Sequence, residues 1–283
     1  MNCNGQLISK STPLVMGILN ITPDSFYTQS RVGDDKDILL RVEQMIGEGV
    51  DIVDVGAVST RPFAKEYASE EEEFKRIIPA VKEIKKRFPQ LLLSVDTFRS
   101  RVAKEMVVNY NVGLINDISG GTLDEKMFNV VASLQVPYIL THFRGEHLQS
   151  MAQATQYKDL MADILTFFSQ KIQQLSALGV NDIIIDPGFG FSKTIEQNYE
   201  LLHKLSFFSV LDKPIMVGLS RKSMLYKVLE NTPEECLGAT TVVNSIALME
   251  GVSILRVHDV KEAKEAIKIF MHYKNTSFYG VSN

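Results

Sequence analysis

The sequence has few cysteines and no tryptophan. Only 2 of its 283 residues are cysteines, and these, Cys3 and Cys236, stand far apart and match no spacing typical of metal or redox sites. Such sparse cysteines are typical of free thiols in a reducing compartment. The chain also has no apolar run as long as a membrane span, and its first residues carry no signal-peptide pattern. We therefore expect a cytoplasmic protein without a membrane segment.

An excess of positive charge is missing as well. Lysine and arginine number 30 against 34 aspartates and glutamates, and the formal net charge is -4. This balance provides no basic surface of the kind that binds nucleic acid, so any anion must be bound by locally placed cations. Apolar residues make up 45% of the chain, which is enough for a sizeable core and excludes general disorder. The composition favours a globular protein with a sizeable core.

Short apolar runs alternate with longer amphipathic segments along the whole chain. Most runs are rich in valine and isoleucine and apolar throughout, as strands covered on both faces must be. Strand followed by helix, repeated along the chain, predicts parallel neighbouring strands joined by right-handed connections. The predicted strands are Leu14–Leu19, Asp51–Val55, Leu91–Val95, Leu114–Ile118, Pro137–Leu140, Asp182–Ile185, Pro214–Val217 and Ser253–Val257.

Two architectures fit this alternation. A doubly wound open sheet would need a glycine-rich phosphate loop after the first strand, and the residues from Met16 to Asp24 do not form one. A closed (β/α)8 barrel, the TIM barrel, needs eight units in roughly 250 residues and brings the C-terminal ends of all its strands to one face. We predict this α/β barrel. No linker or change of composition divides the chain, so we predict a single domain over residues 1–283, with its core from about residue 12 to residue 274.

Polar side chains stand at the ends of several predicted strands. Asp96 follows one apolar run, Asn116 ends the next, and Asp186 opens the glycine-rich run that reaches Phe191. Each has an ordinary alternative role, Asp96 as a helix N-cap and the other two as turn formers. Two carboxylates and an amide that face one barrel mouth nevertheless suit a flat heterocycle with adjacent N–H donors, because a carboxylate accepts from two donors at once. We predict a heterocycle site.

Cations stand at the ends of the last two strands. Lys222 follows the seventh strand, and Arg256 and His258 are two apart on the eighth, so their side chains share a face. Barrels commonly hold phosphate at this position, although solvated surface charges are the alternative. Arg61 offers a further cation, and Asn20, at the first strand's end, is either a turn residue or an oxygen ligand for a hard metal ion. The pattern favours an anion site beside the heterocycle.

Seven motifs, taken in order, resemble those of the dihydropteroate synthase family. They extend from about Leu14 to Val260, which is nearly the whole chain, and their succession is stronger than any one of them. The motifs are Gly17–Phe26, Asp54–Gly56 with Ser59–Pro62, Ser94–Thr97, Asn116–Gly120, Asp186–Phe191, Ser220–Ser223 and Arg256–Val260.

The resemblance implies a (β/α)8 barrel that joins 6-hydroxymethyl-7,8-dihydropterin diphosphate to 4-aminobenzoate and releases diphosphate, in folate biosynthesis. It also implies Mg2+ as cofactor, a homodimer as assembly, and a sulfonamide target. The difficult step is then the loss of diphosphate. Mg2+ and the cations can stabilise that departing charge, and Asp96 can stabilise positive charge that develops on the ring.

Carried over position by position, the family's sites fall on three overlapping groups of residues. The pterin site falls on Asp96, Asn116, Asp186 and Lys222. The diphosphate site falls on Asn20, Arg61, Arg256 and His258, with Mg2+ at Asn20. The aminobenzoate site falls on Phe26, Thr60, Pro62, Phe189, Lys222 and Ser223. The catalytic side chains implied are Asp96, Lys222, Arg256 and His258.

The chain departs from the family's pattern in its loops. Ala57 and Val58 stand where a glycine and often a glutamate are usual, and Phe63 replaces a glycine. Thr141 and Phe143 stand where methionines are usual. We expect these departures to alter the loops and the affinity for aminobenzoate or sulfonamides, and none of them to touch the pterin or anion groups. Two alternatives stay open, a non-catalytic pterin-binding paralogue and a pterin-dependent methyltransferase, although the latter gives the cations no role.

Overall fold

The strands form one parallel sheet that curves into a barrel. The computed structural model describes residues 1–3, 5–8, 12–21, 34–58, 68–145, 147 and 154–276. The sheet has 8 strands, which are β3 (Leu14–Asn20), β4 (Ile52–Gly56), β5 (Leu93–Asp96), β6 (Leu114–Asp117), β7 (Tyr138–Thr141), β8 (Ile183–Asp186), β9 (Met216–Val217) and β10 (Ile254–Val257).

The order of the strands confirms the predicted (β/α)8 barrel. Neighbours run β8-β7-β6-β5-β4-β3-β10-β9, all pairs are parallel, and a bridge between Ile185 and Ile215 brings the two ends of the sheet together. β9 begins at Met216 rather than at the predicted Pro214, because proline has no N–H to give to a strand ladder. The carboxyl ends of all eight strands therefore lie at one mouth.

Helices alternate with the strands and cover the outside of the barrel. They are α1 (Asp34–Gly47), α2 (Glu70–Arg87), α3 (Ser100–Tyr110), α4 (Met127–Leu134), α5 (Leu160–Ala177), α6 (Ile195–His203), α7 (Ser223–Tyr226), α8 (Leu237–Met249) and α9 (Val260–Thr276), with a 3-10 helix at Leu205–Leu211. Outward strand residues such as Val53 and Val55 pack with buried helix residues such as Ile77 and Ile84 in one core cluster. Over the described ranges, no helix is both long and apolar enough to cross a membrane.

The interior of the barrel changes from apolar to polar along its axis. Its lower layer is a cluster of buried apolar side chains, Cys3, Met16, Ile52, Leu92, Leu114, Ile139, Ile184, Met216 and Ile254. Side chains alternate across a strand, so residues two positions further along point the same way. On six of the strands those residues are Asp54, Ser94, Asn116, Thr141, Asp186 and Arg256, and on the other two they are Ile18 and Gly218. A polar layer therefore lies directly above an apolar floor, on the side of the mouth.

A short hairpin covers the lower end of the barrel. It consists of β1 (Asn2–Cys3) and β2 (Gln6–Leu7), which pair antiparallel. Cys3 belongs to the apolar floor, and Met1 and Ile8 pack against it. The backbone N–H of Asn2 donates to a carboxylate oxygen of Asp182, just before β8, at 2.8 Å. The hairpin is thereby fixed to the end of the barrel opposite the mouth.

Candidate active site

Arg256 joins two carboxylates in the polar layer. Its Nε donates to Oδ2 of Asp54 at 2.7 Å, and its Nη2 donates to Oδ2 of Asp96 at 2.6 Å. Nδ2 of Asn116 donates to the same Asp54 oxygen at 2.8 Å. Strands β4, β5, β6 and β10 thus bring these four side chains into one network. Asp54 was missed in the sequence because it sits inside an apolar run rather than at its end.

Burial and charge act in opposite directions on this network. Burial raises the pKa of Asp96, Arg256 opposes the rise, and the neighbouring carboxylates Asp54 and Glu73 add to it. Burial alone would lower the pKa of Arg256, but Asp54 and Asp96 outweigh it and raise that pKa. Arg256 is therefore a permanent cation, and Asp96 is a carboxyl group whose charge depends on its neighbours.

The glycine-rich turn after β8 presents Asp186 and receives Lys222. The N–H of Gly188 donates to Oδ1 of Asp186 at 2.8 Å. The Lys222 ammonium donates to the carbonyl of Phe189 and lies 4.5 Å from the centre of the Phe191 ring. Burial raises the pKa of Asp186, which Lys222 opposes, and burial lowers the pKa of Lys222 to about 8, which Asp186 opposes. The charges of the two groups therefore influence each other at the mouth.

Two glycines are required for the shape of this turn. Gly188 and Gly190 have φ of +73° and +76°, in the left-handed region that side chains disfavour. A Cβ on Gly188 would lie 2.5 Å from the carbonyl oxygen of His142, and a Cβ on Gly190 would lie 3.0 Å from Cδ of Lys222. The turn can approach both neighbours only without side chains at these positions.

A second lysine, Lys193, supports the same turn from behind. Its Nζ donates to the carbonyls of Gly188 at 2.9 Å and Phe191 at 3.0 Å, and it lies 3.1 Å from Nδ1 of His142. Burial lowers the pKa of Lys193 to about 7, while Asp186 opposes the fall. Burial also keeps the pKa of His142 well below its ordinary value, so this histidine is neutral. Sequence reasoning missed Lys193, which belongs to none of the motifs.

The predicted diphosphate residues lie partly at this mouth. Nδ1 of His258 is 3.0 Å from Oγ of Ser220, and burial, with Arg256 next, lowers the pKa of His258 to about 4. Burial therefore favours the neutral form of His258, which would offer an anion an N–H donor, and the assignment of His258 to the diphosphate stays a prediction. Arg256 points to Asp54 and Asp96, so its assignment to diphosphate stays a prediction. Arg61 lies outside the described residues.

Another cation, Arg41 of α1, was missed. Its Nη2 donates to the carbonyl oxygen of His258 at 2.5 Å, which brings a guanidinium to the end of β10. By contrast Arg221, in the predicted Ser220–Ser223 motif, forms an ion pair with Asp259. It donates to both carboxylate oxygens of Asp259, at 3.0 and 2.8 Å, so it is structural.

Most of the predicted aminobenzoate site cannot be placed. Phe26, Thr60 and Pro62 lie outside the described residues. The ring of Phe189 is fully buried in the outer core, so only its backbone carbonyl reaches the mouth. Ser223 opens α7 directly after Lys222. The aminobenzoate assignments stay predictions, and for Phe189 the contact would have to come from its backbone.

Asn20 is the predicted metal ligand. It ends β3 with an exposed side chain, next to Gly56 on β4. A Cβ on Gly56 would lie 3.4 Å from Oδ1 of Asn20 and 3.4 Å from Cβ of Asp96, so the glycine keeps the space between these side chains open. Within the described ranges, no group of three or more His, Cys, Asp or Glu side chains could hold a metal ion. A single neutral oxygen donor suits Mg2+ that is bound mainly by water and substrate phosphates.

Four buried oxygens of the polar layer have no hydrogen-bond partner in the described part of the chain. They lie on β4, β5, β6 and β7, which are neighbours in the sheet, and are Asp54 Oδ1, Ser94 Oγ, Asn116 Oδ1 and Thr141 Oγ1. An unpaired buried polar group costs about 1–3 kcal/mol. A flat ligand with N–H donors, bound in this layer, would supply the missing partners.

The chain is similar to proteins of known activity. Residues 16–258 match the family described as pterin binding enzyme. Dihydropteroate synthase of Bacillus subtilis is 38% identical over 262 residues, which cover 92% of this chain and 88% of that protein. The similarity therefore includes all eight barrel strands.

Solved structures are similar over the same range. Yersinia pestis dihydropteroate synthase, in a sulfonamide drug complex, has a TM-score of 0.89 and 37% identity, and the match covers 97% of this chain and 99% of that one. Xanthomonas albilineans dihydropteroate synthase with 4-aminobenzoic acid has a TM-score of 0.88 and 32% identity, and the match covers 96% of this chain and 97% of that one.

Proposed function

We infer that this chain, which belongs to the pterin binding enzymes and among them to the dihydropteroate synthases, carries out its reaction at the barrel mouth described above. The enzyme is a transferase of folate biosynthesis that joins 6-hydroxymethyl-7,8-dihydropterin diphosphate to 4-aminobenzoate, forming 7,8-dihydropteroate and diphosphate. The observation that carries the placement is the polar layer above the apolar floor, in which four buried oxygens have no partner among the described residues.

The pterin ring is assigned to Asp96, Asn116, Asp186 and Lys222. Asn116 already donates through Nδ2 to Asp54, which leaves Oδ1 free to accept from a ring N–H. Asp186 accepts from the backbone of Gly188 through Oδ1, and its second oxygen can accept from the ligand. Lys222 supplies a donor and a positive charge. This mixture of acceptors and one donor matches a ring edge that carries mostly N–H groups.

The diphosphate is assigned to Asn20, Arg61, Arg256 and His258. Mg2+ bound to the substrate's diphosphate, with Asn20 as its protein ligand, would neutralise charge on the departing group. Arg256 is positive at every ordinary pH, and His258 can donate one neutral hydrogen bond. Oδ2 of Asp96 accepts from Nη2 of Arg256 at 2.6 Å. Asp96 can stabilise positive charge on the ring, and the guanidinium of Arg256 can stabilise the anion.

The second substrate requires little chemistry from the protein. An aromatic amine is neutral near neutral pH, and its nitrogen can attack without a base that deprotonates it first. The aminobenzoate is assigned to Phe26, Thr60, Pro62, Phe189, Lys222 and Ser223. Catalysis then depends on how well the site orients the amine and stabilises the leaving diphosphate.

The activity is tested by adding the pterin diphosphate, 4-aminobenzoate and Mg2+ to the purified protein and measuring released diphosphate. We expect release that depends on aminobenzoate and yields dihydropteroate. Omission of aminobenzoate is the control for simple hydrolysis. Binding of the pterin diphosphate without any release would instead indicate a non-catalytic pterin-binding protein.

We also propose a homodimer that forms through α8. Val242, Ile246 and Met249 follow one another by four and three residues, so they lie on one face of the helix. All three are exposed, Val242 by 59% and Met249 by 57%. An apolar stripe on a helix surface is typical of a protein–protein interface.

The proposed compartment is the cytoplasm. Cys3 and Cys236 are both buried free thiols, as is usual where the surroundings are reducing.

A further inference from the structure

Thr141 occupies a place in the barrel that none of the assigned roles uses. It ends β7, its side chain is buried, and it pairs in register with Asp186 on β8. On the other side of β7 lies β6, which carries Asn116. In the sheet Thr141 is level with Asp186, and Asn116 is level with Ile139, two residues earlier on β7. The expectation that no departure from the family pattern touches the pterin groups stays a prediction for Thr141.

The hydroxyl of Thr141 faces the inside of the barrel. Ile139, two positions earlier on the strand, belongs to the apolar floor, and alternation directs Thr141 to the same side. Its Oγ1 is buried and has no hydrogen-bond partner among the residues that the structure describes.

Tyr138, on the same strand, shows the opposite arrangement. Its side chain points outwards into the core between barrel and helices, and its hydroxyl donates to Oδ2 of Asp117 at 2.6 Å. The strand thus carries one buried hydroxyl that is paired within the protein and one that has no partner in the described ranges. The unpaired group costs free energy in the ligand-free protein, and a ligand with a matching polar atom would recover it.

We propose that Thr141 is a further binding residue for the pterin ring and completes the pocket between Asn116 and Asp186. The proposal rests on the proposed function of this site. Asn116 offers a free Oδ1, and an ionised Asp186 offers only acceptors, whereas a pterin ring carries a carbonyl oxygen beside its N–H groups. A hydroxyl can donate as well as accept. Thr141 therefore supplies a neutral donor beside the acceptors of Asn116 and Asp186, in addition to the ammonium of Lys222.

Two substitutions separate the hydroxyl from the shape of the side chain. Thr141→Val replaces the hydroxyl by a methyl group of similar size, and Thr141→Ser retains it. Calorimetric titration with the pterin diphosphate, without aminobenzoate, should give a Kd about 3- to 10-fold higher for Thr141→Val. Thr141→Ser should remain close to wild type, and KM for aminobenzoate should stay unchanged in both variants.

The thermal midpoint of the ligand-free protein supplies an independent reading. Thr141→Val should unfold at the wild-type temperature or roughly 2–4 °C above it, because valine removes an unpaired buried hydroxyl. Tyr138→Phe is the matched control on the same strand. It removes a paired hydroxyl and should lower the midpoint while leaving the Kd for the pterin diphosphate unchanged.

An unchanged Kd in Thr141→Val would overturn the proposal. A fall of its thermal midpoint as large as that of Tyr138→Phe would also do so, because the hydroxyl would then be paired within the protein. If wild type binds the pterin diphosphate but releases no diphosphate with aminobenzoate, the catalytic function fails and the binding role of Thr141 stands on its own titration. A wild-type protein that does not bind the pterin diphosphate would refute both.

Discussion

Lys222 interacts with the turn after β8 and lies near Asp186, at the start of that turn. Its ammonium donates to the carbonyl of Phe189 and faces Asp186. If it also contacts both substrates, Lys222→Ala should lower kcat/KM by at least ~100-fold, or about 2.7 kcal/mol of transition-state stabilisation. Steady-state kinetics measure this. Lys204→Ala, directly after α6, where Lys204 pairs with Glu200 at 2.7 Å, is the control and should leave kcat/KM unchanged. Near-normal turnover of Lys222→Ala would remove Lys222 from the site.

The charge of Lys222 should also be visible in the pH dependence of the reaction. Burial lowers its pKa to about 8, and a lysine loses its charge as the pH rises past its pKa. If the ammonium form is required, kcat/KM should fall above pH 8 by about tenfold per pH unit. The measurement is kcat/KM for the pterin diphosphate from pH 7 to 9.5, with circular dichroism at each pH to verify that the protein stays folded. A flat profile over this range would contradict the assignment.

At the residue scale, the polar residues at strand ends could be predicted from the sequence, whereas the buried residues that contact them could not. Asp96, Asn116 and Asp186 stand at the ends of apolar runs, and Lys222 follows a run by five residues, which marks them in the sequence. Asp54 lies inside such a run, and only its inward position in the folded strand reveals that it holds Arg256. Lys193 and Arg41 have no sequence signal at all, because their partners are backbone carbonyls, which no side-chain pattern reveals.

Among the helices, α2 shows how local sequence fixes an element next to the site. Ser69 is its N-cap, Oγ of Ser69 accepts from the N–H of Glu72 at 3.2 Å, and the Glu72 carboxylate accepts from the N–H of Ser69 at 2.8 Å. Ser69→Ala should lower the free energy of unfolding by about 1 kcal/mol, because one terminal N–H loses its partner. Urea unfolding followed by circular dichroism measures the loss.

Two further variants check that the cap causes this effect. Ser69→Asp retains an acceptor and should keep wild-type stability. Ser133→Ala, on α4, removes a hydroxyl that donates to the carbonyl of Val130 and caps nothing, so its effect should stay within roughly 0.5 kcal/mol. Equal losses for Ser69→Ala and Ser133→Ala would mean that capping does not contribute.

At the element scale the sequence was informative because the barrel imposes a simple pattern. Strands covered on both faces must be apolar throughout, and all eight were predicted within a few residues of their observed bounds. β9 begins two residues later than predicted, since Pro214 cannot donate to the ladder. The sequence did not indicate how the interior splits into an apolar and a polar layer, because inward and outward positions cannot be distinguished when both are apolar.

For the whole molecule, the apolar stripe on α8 predicts the state of assembly. Val242→Glu would place a charge in the proposed interface, so the dimer should dissociate to monomer at micromolar concentration. Analytical ultracentrifugation measures the two species. Val108→Glu is the control, since Val108 is equally exposed, at 60%, but lies on α3, away from the stripe. A wild-type monomer, or the same shift in both variants, would refute an interface at α8.

The apolar floor of the barrel determines the route by which substrates enter and products leave. Nine apolar side chains seal the lower end, so whatever reaches the polar layer has to arrive and depart through the same opening. The pterin diphosphate, which binds deepest, should therefore bind before the amine. The coupled product should leave only after diphosphate has been released. Excess aminobenzoate that binds first would block the mouth and slow the binding of the pterin diphosphate. Such a non-productive complex would cause substrate inhibition, which an enzyme with two openings would avoid.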